Sequence, residues 1–271
     1  MREGRRVTNV LETIVAGARL SANERSRRVP LDQIDERAAG AAPRGRAFRE
    51  SLAADGVRII AECKRRSPSK GVLRKSYDPA AIAVGYANAG AAGISVLTEP
   101  SFFDGAISHL EAVRAAVTTP VLRKDFVVTE YQVAEARALG ADAVLLIVAA
   151  LDERALAALI HAAETRGLLP LVEAHSSEEA LIALSAGATV IGVNSRNLKT
   201  LEVDTGSFSR IVGAIPDDVV AIAESGIRTG VDIRRLREEG YDAFLVGERF
   251  MTQADPGSAL AALIADAGSA K

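Results

Sequence analysis

The sequence predicts an α/β fold, a single (β/α)8 barrel spanning residues 1–271 in which residues 1–56 form an N-terminal helical extension. Three observations predict it. Short apolar runs alternate with longer helical patterns eight times from about residue 57 onward. A glycine followed by an apolar run recurs ahead of every second strand. The four odd-numbered strands each end in ionisable residues.

The strands read, in order, as Arg58–Cys63, Gly93–Leu97, Val121–Arg123, Ala143–Ile147, Leu169–Val172, Val190–Val193, Val219–Ala223 and Ala243–Val246. They are rich in Val, Ile and Leu and too short for helices. Near-continuous apolarity means burial on both faces, the condition of parallel strands. Helix starts fall between them. Asp78-Pro79 and Asp255-Pro256 place an N-cap before a proline at the first helical position. Thr129 with Gln132 has capping-box spacing, and Ser177 precedes the acids Glu178 and Glu179, which suit a helix N-terminus. Gly90, Gly140, Gly187 and Gly240 read as helix C-caps leading into strands two, four, six and eight. A doubly wound open sheet is the rival that strand–helix alternation also allows.

Ahead of the barrel, Val10, Leu11, Ile14 and Val15 have helical apolar spacing, followed by an arginine-rich stretch and a loop around residues 40–46. Two readings stay open for this extension: a solvated leader that packs on the barrel, or a cap over one of its mouths.

Composition narrows the function class. The net charge of −2 gives no field to attract nucleic acid or an anionic membrane. One cysteine excludes an intrachain disulfide and fits a reducing cytoplasm. Val7 to Arg19 is broken by Thr, Asn and Glu, so the start is no signal peptide, and no apolar run is long enough to span a bilayer. A cytoplasmic protein acting on a small molecule, with a monomer allowed and no nucleic-acid or membrane partner, is the expectation.

The odd strands carry the chemistry. The first ends Glu62-Cys63-Lys64, the third Arg123-Lys124-Asp125, the fifth Val172-Glu173 and the seventh Ala223-Glu224-Ser225. Side chains from alternate strands share a layer inside a barrel. Glu62, Lys64, Lys124, Glu173 and Glu224 are therefore expected to converge at the C-terminal mouth, where a single such charge would be an ordinary solvated strand end. Cys63, between two inward-facing neighbours, is expected to pack outward and not to act as a nucleophile. His109, His161 and His175 lack ligand spacing, so no metal is expected; His175, two residues beyond Glu173, falls near the mouth.

The segments Glu62-Cys-Lys-Arg-Arg-Ser-Pro-Ser69, Leu97-Thr-Glu99 with Phe103-Asp-Gly105, Leu122-Arg-Lys-Asp-Phe126, Leu171-Val-Glu173, Gly192-Val-Asn-Ser-Arg-Asn-Leu198 and Ala223-Glu-Ser-Gly226 together resemble, in order, the indole-3-glycerol phosphate synthase family. The resemblance runs from about residue 9 to 262, and nothing after it is long enough for a second barrel. It implies a TIM barrel that converts 1-(2-carboxyphenylamino)-1-deoxyribulose 5-phosphate to indole-3-glycerol phosphate, losing carbon dioxide and water, in tryptophan biosynthesis. It implies no metal and no organic cofactor.

By the same resemblance, Lys124 is the general acid that protonates the ketone oxygen at ring closure, and Glu173 is the base of dehydration. Lys64 pairs with the substrate carboxylate, contacts phosphate and is a second candidate acid. Glu62, two residues from Lys64 on one strand face, orients it. Asn194 donates to substrate hydroxyls, while Arg196 and Glu224 complete the polar network. A lysine acid works best with its pKa brought toward neutrality, and that is the expectation for Lys124. Ser67, Phe103, Phe126, Arg196 and Ser225 are expected to touch substrate, with the two phenylalanines stacking on the anthranilate ring. Ser225-Gly226 and Gly247-Glu248, following strands seven and eight, are expected to hold phosphate through backbone N–H groups, the glycines allowing close approach. Residues 65–71 are a candidate mobile lid. Phosphoribosylanthranilate isomerase is the enzymatic rival, although its chemistry would prefer a cysteine and an aspartate at the strand ends; a non-catalytic barrel that binds a phosphorylated metabolite is the other.

Overall fold

The structure is a computed structural model that describes residues 10–40, 42, 44–198 and 200–269. Its barrel strands are β1 (Arg58–Cys63), β2 (Gly93–Leu97), β3 (Val121–Lys124), β4 (Ala143–Ile147), β5 (Leu169–Ala174), β6 (Val190–Asn194), β7 (Val220–Glu224) and β8 (Ala243–Val246). Each pairs in parallel with its sequence neighbour, and β1 pairs with β8 to close the ring, with Arg58 opposite Ala243. This is a TIM barrel, and the open-sheet rival is excluded. Helices Pro79–Asn88, Ile107–Ala116, Glu130–Ala138, Glu153–Thr165, Ser177–Ser185, Ser207–Val212, Gly230–Glu238 and Pro256–Gly268 form the outer layer. Among the described residues no helix is long and apolar enough to cross a membrane.

The expected strand ends move at the mouth. β3, β5, β6 and β7 run on to Lys124, Ala174, Asn194 and Glu224. Ladder hydrogen bonding is a backbone property, so a polar side chain does not stop a strand whose neighbours continue. The charged residues are thus fixed inside the sheet, not on loops beyond it. The four cap glycines are all left-handed, with φ of +87°, +85°, +95° and +109°. Gly167 (φ +69°) does the same ahead of β5.

Two helix starts differ in detail from expectation. The helix from Ser177 is capped by Ser176, whose Oγ accepts from the Glu179 N–H at 3.2 Å; Ser176 and Glu179 have the three-residue spacing that a cap requires. Thr129 accepts from the Gln132 N–H at 3.3 Å, but the Gln132 side chain accepts from the Val128 N–H, one residue earlier than a capping box predicts. Asp78 and Asp255 cap as expected.

Apolar packing forms two shells. Ile60, Leu122, Leu145, Leu171, Ile222 and Leu245 fill the barrel, while Val96, Val144, Val172 and Val193 face the helices. Cys63 lies fully buried in the outer shell, where burial pushes its thiol pKa far up, so it packs and does not react. Residues 65–71 are not a plain loop: Arg66–Ser67 and Gly71–Val72 pair as a small antiparallel hairpin beside the mouth.

Both readings of the extension hold, for different parts of it. Helix Gly45–Leu52 covers the N-terminal mouth. Arg44 bonds Asp142 and the Thr118 carbonyl, Gly45 N–H donates to the Gly167 carbonyl, and Arg49 reaches the Asp218 carbonyl. These partners belong to the turns ahead of β3, β4, β5 and β7. Phe48 is fully buried against Gly93, where any Cβ would strike its ring. Helix Leu31–Ala38 packs instead on the flank, against helix Glu130–Ala138. Helix Val10–Arg28 lies beside the 3-10 turn Val148–Ala150 that follows β4, at the opposite mouth, and its Leu11 and Ile14 join the apolar cluster of Phe126 and Phe103.

Candidate active site

A cavity of about 620 Å³ opens at the C-terminal ends of the strands. Every side chain or glycine singled out from the sequence as a site residue lines it: Glu62, Lys64, Lys124, Glu173, Asn194 and Glu224; Ser67, Phe103, Phe126, Arg196 and Ser225; Gly226, Gly247 and Glu248. Alternation along the strand explains the convergence. In β3, Leu122 and Lys124 point inward, while Arg123 points outward into a buried network with Asp125 and Glu135.

Two cation–carboxylate groups meet on the cavity floor. The Lys64 Nζ lies 2.5 Å from Glu62 Oε1, and Ser95 Oγ donates to Glu62 Oε2 at 3.4 Å. The Lys124 Nζ lies 3.1 Å from Glu173 Oε2 and 3.5 Å from Glu224 Oε2. Glu62, Glu173 and Glu224 are each no more than 3% exposed, so water screens these interactions poorly.

The protonation pattern follows. Burial alone would lower the Lys124 pKa, but Glu173, Glu224 and Glu62 outweigh it and hold the pKa well above that of an ordinary lysine. The expectation of a lysine tuned toward neutrality is therefore corrected: desolvation is the largest single influence, but three carboxylates together exceed it. Burial raises Glu173, yet Lys124 and His175 pull it well below the usual carboxylate range. Glu62 is likewise held low, against its burial, by Lys64 and Lys124. Glu224 goes the other way. Burial, reinforced by Glu173 and Glu62, exceeds the pull of Lys124 and lifts it to about 8, and its Oε1 is buried with no hydrogen-bond partner. Of the two carboxyls on Lys124, Glu224 is the one whose protonated form burial favours.

Glycines make room for this cluster in a way the sequence did not show. A Cβ on Gly247 would come 2.6 Å from Glu62 Oε1, and one on Gly192 of β6 would strike the Glu224 carboxylate. Gly247 is thus required by the Glu62 side chain, independently of any phosphate. Ser225 and Gly226 are consecutive left-handed residues, with φ of +68° and +75°. A serine there is an uncommon conformation, held in part by Ser195 Oγ donating to the Ser225 carbonyl at 3.2 Å.

The rim is set by local turns. Buried Glu99 accepts the N–H groups of Ser101, Phe102 and Phe103, fixing the short helix Pro100–Phe103. Phe103 then faces Phe126, ring centroids 6.4 Å apart and tilted by 38°. The Asn194 Oδ1 accepts from the Arg196 N–H at 3.0 Å. Arg196 donates to the Leu201 carbonyl at 2.9 Å and to Ser69 Oγ at 3.3 Å, and lies 3.6 Å from Glu248 Oε2. The Glu248 side chain therefore has an ion-pair partner across the rim. Glu99 and Gly192 lie in the family-like segments but, with Ser95, had no role assigned from sequence; hydrogen bonds and crowding show what they do. Among the described residues no group of three or more His, Cys, Asp or Glu side chains could hold a metal ion.

The family model for indole-3-glycerol phosphate synthase matches residues 11–263. An indole-3-glycerol phosphate synthase of Streptomyces griseus subsp. griseus is 53% identical over 257 residues, 95% of each chain. That of Mycolicibacterium smegmatis is 51% identical, covering 94% of this chain and 93% of its own. Among solved structures, a thiamine phosphate pyrophosphorylase from Pyrococcus furiosus superposes with a TM-score of 0.59 at 20% identity, over 78% of this chain and 95% of that one. A mandelate oxidase variant gives 0.59 at 19% identity, over 91% and 92%. These two similarities speak for the barrel alone. The sequence relatives and the matched model cover nearly the whole chain, and by them this chain belongs to the indole-3-glycerol phosphate synthase family.

Proposed function

We propose that this chain closes, decarboxylates and dehydrates 1-(2-carboxyphenylamino)-1-deoxyribulose 5-phosphate to indole-3-glycerol phosphate, as a step of cytoplasmic tryptophan biosynthesis. The observation that carries the reading is Lys124, an ammonium held between Glu173 and Glu224 at the buried end of the cavity.

Ring closure forms a bond from the arylamine ring carbon to the ketone carbon, and the ketone oxygen takes up the electron pair and a proton. Lys124 is the donor. Its raised pKa means the proton is always in place, and an alkoxide-like oxygen is a stronger base than an amine, so transfer is downhill once that charge develops. Loss of carbon dioxide returns the ring electrons. Dehydration expels the hydroxyl with a proton from Lys64 or Lys124 and removes a ring proton to Glu173, which is ionised and therefore ready. Glu62 fixes Lys64 against the substrate carboxylate, and Glu224 with Asn194 holds the hydroxyls. Phe103 and Phe126 flank the anthranilate ring. The phosphate takes the end formed by Ser225-Gly226 and Gly247-Glu248, after β7 and β8, with Lys64, Ser67 and Arg196 as side-chain contacts. All these groups come from one chain, so the site as proposed takes no residue from a second copy.

The isomerase rival lacks the strand-end cysteine its proton-transfer chemistry would prefer, because Cys63 faces the helices. Growth of indole-type fluorescence from the arylamino substrate tests the reading. Lys124→Ala is expected to lower kcat by about 10²–10⁴-fold with an unchanged circular dichroism spectrum. No fluorescence from the parent chain, or near-parental turnover in the variant, overturns it.

A further inference from the structure

We infer that His175, held by Glu179, is a positioning residue that aims the Glu173 carboxylate at Lys124 and the substrate cavity. The inference rests on the reading of Glu173 as the base.

Glu179 is the third residue of helix Ser177–Ser185, and its own N–H is taken by Ser176 Oγ. Its carboxylate turns back along the chain. Glu179 Oε2 accepts the His175 backbone N–H at 2.7 Å and lies 3.2 Å from His175 Nδ1. One oxygen therefore fixes both the backbone and the ring of His175, and the bond at Nδ1 leaves Nε2 pointing the other way. That nitrogen lies 3.4 Å from Glu173 Oε1 and is buried with no hydrogen-bond partner, so Glu173 is the carboxylate within ion-pair reach of it among the described residues. The other Glu173 oxygen faces Lys124 at 3.1 Å.

With a cation within ion-pair reach of each oxygen, rotation of the Glu173 carboxyl plane is opposed from both sides. His175 does not line the cavity, so it acts through Glu173 and not on substrate. A single residue type in the chain could serve this end: a ring with two opposed donors, cationic at neutral pH. Burial lowers the His175 pKa, but Glu173 and Glu179 overcome it and hold it at about 10. The charged or titratable groups around Glu173 are Lys124 from β3, Glu224 from β7 and His175 beyond its own strand; those around His175 are Glu173 and Glu179.

The sign of the pH effect follows. Lys124 and His175 lower the pKa of Glu173, so removing the imidazolium raises it and moves the acidic limb of kcat/KM to higher pH. His175→Asn, which keeps a neutral donor, is expected to lower kcat by about ten- to a hundredfold through loss of aim. KM should change little, and the acidic limb should rise by about one pH unit. Glu179→Gln should move the limb in the same direction by less. Glu173→Gln, measured beside them, separates the two ideas: parental turnover in that variant removes Glu173 as base and the inference with it. Loss of turnover in Glu173→Gln together with parental kcat and an unmoved limb in His175→Asn overturns the inference alone. Should His175→Asn fail to fold, the limb in Glu179→Gln decides: movement supports, no movement overturns.

Discussion

Lys124 and its neighbours show how the properties of one residue depend on distances that no linear reading supplies. The types and order of Glu62, Lys64, Lys124, Glu173 and Glu224 were legible, because alternate strands share a layer and the residues fall at strand ends. Their proton affinities were not. Two glutamates of the same strand-end pattern are driven apart, Glu173 down by Lys124 and His175, Glu224 up to about 8 by burial and like charge. This has a consequence for stability. Glu224 has a folded pKa above its ordinary value of 4.5, so folding favours its protonated form. The stability it contributes is complete below about pH 4.5 and is lost as pH rises to about 8. Glu224→Gln removes that titration. The Tm of the variant relative to the parent is expected to climb between pH 5 and pH 8.5, measured by thermal unfolding across that range. A difference that stays flat with pH would show that Glu224 ionises as an ordinary carboxylate.

Strands and turns were the most legible level, and their failures have physical causes. The eight strands appear where the apolar runs lie, yet four of the mouth ends were set short, since polarity was read as a stop and the ladder does not obey it. The helix cap one residue early, at Ser176, escaped because two adjacent serines offer the same hydroxyl and only one has Glu179 at the right separation. Least legible was β6. Gly192 reads as a weak strand residue, since glycine costs a strand interior some stability. Its neighbours explain it. A Cβ would strike the Glu224 carboxylate and come 2.9 Å from Leu171 Cδ2 on β5. Gly192→Ala, normally neutral or mildly favourable for a strand, is expected here to destabilise by about 1–3 kcal/mol through overpacking. It should also lower kcat, because Glu224 must swing away from Lys124. Urea unfolding and fluorescence turnover check both, and a variant equal to the parent in each would mean that the strands shift freely to make room.

At the scale of the whole molecule the barrel has two ends with different work. The apolar spacing of the extension foretold helices that bury a face, but periodicity does not say against what. Its first helix ties into the chemistry: Arg25 bonds Glu135, which bonds Arg123, whose other side holds Asp125 beside Lys124 and Phe126. Its last helix closes the other end with Phe48, packed against the start of β2. Phe48 meets Gly93, two residues or about 7 Å along β2 from Ser95, which bonds Glu62 on the cavity floor. Removing the ring leaves a void that surrounding turns, pinned by Arg44 and Arg49 to backbone carbonyls and Asp142, cannot collapse to fill. Phe48→Ala is therefore expected to cost about 3–5 kcal/mol of unfolding free energy. Because close packing transmits strain but the strands between are pinned on both sides by their ladders, kcat per folded molecule should stay near the parental value. Urea unfolding gives the first quantity, and turnover at a temperature where the variant is fully folded gives the second. A large fall in kcat in folded Phe48→Ala would mean that the two ends of the barrel are mechanically coupled, and that the plug helps to shape the catalytic mouth.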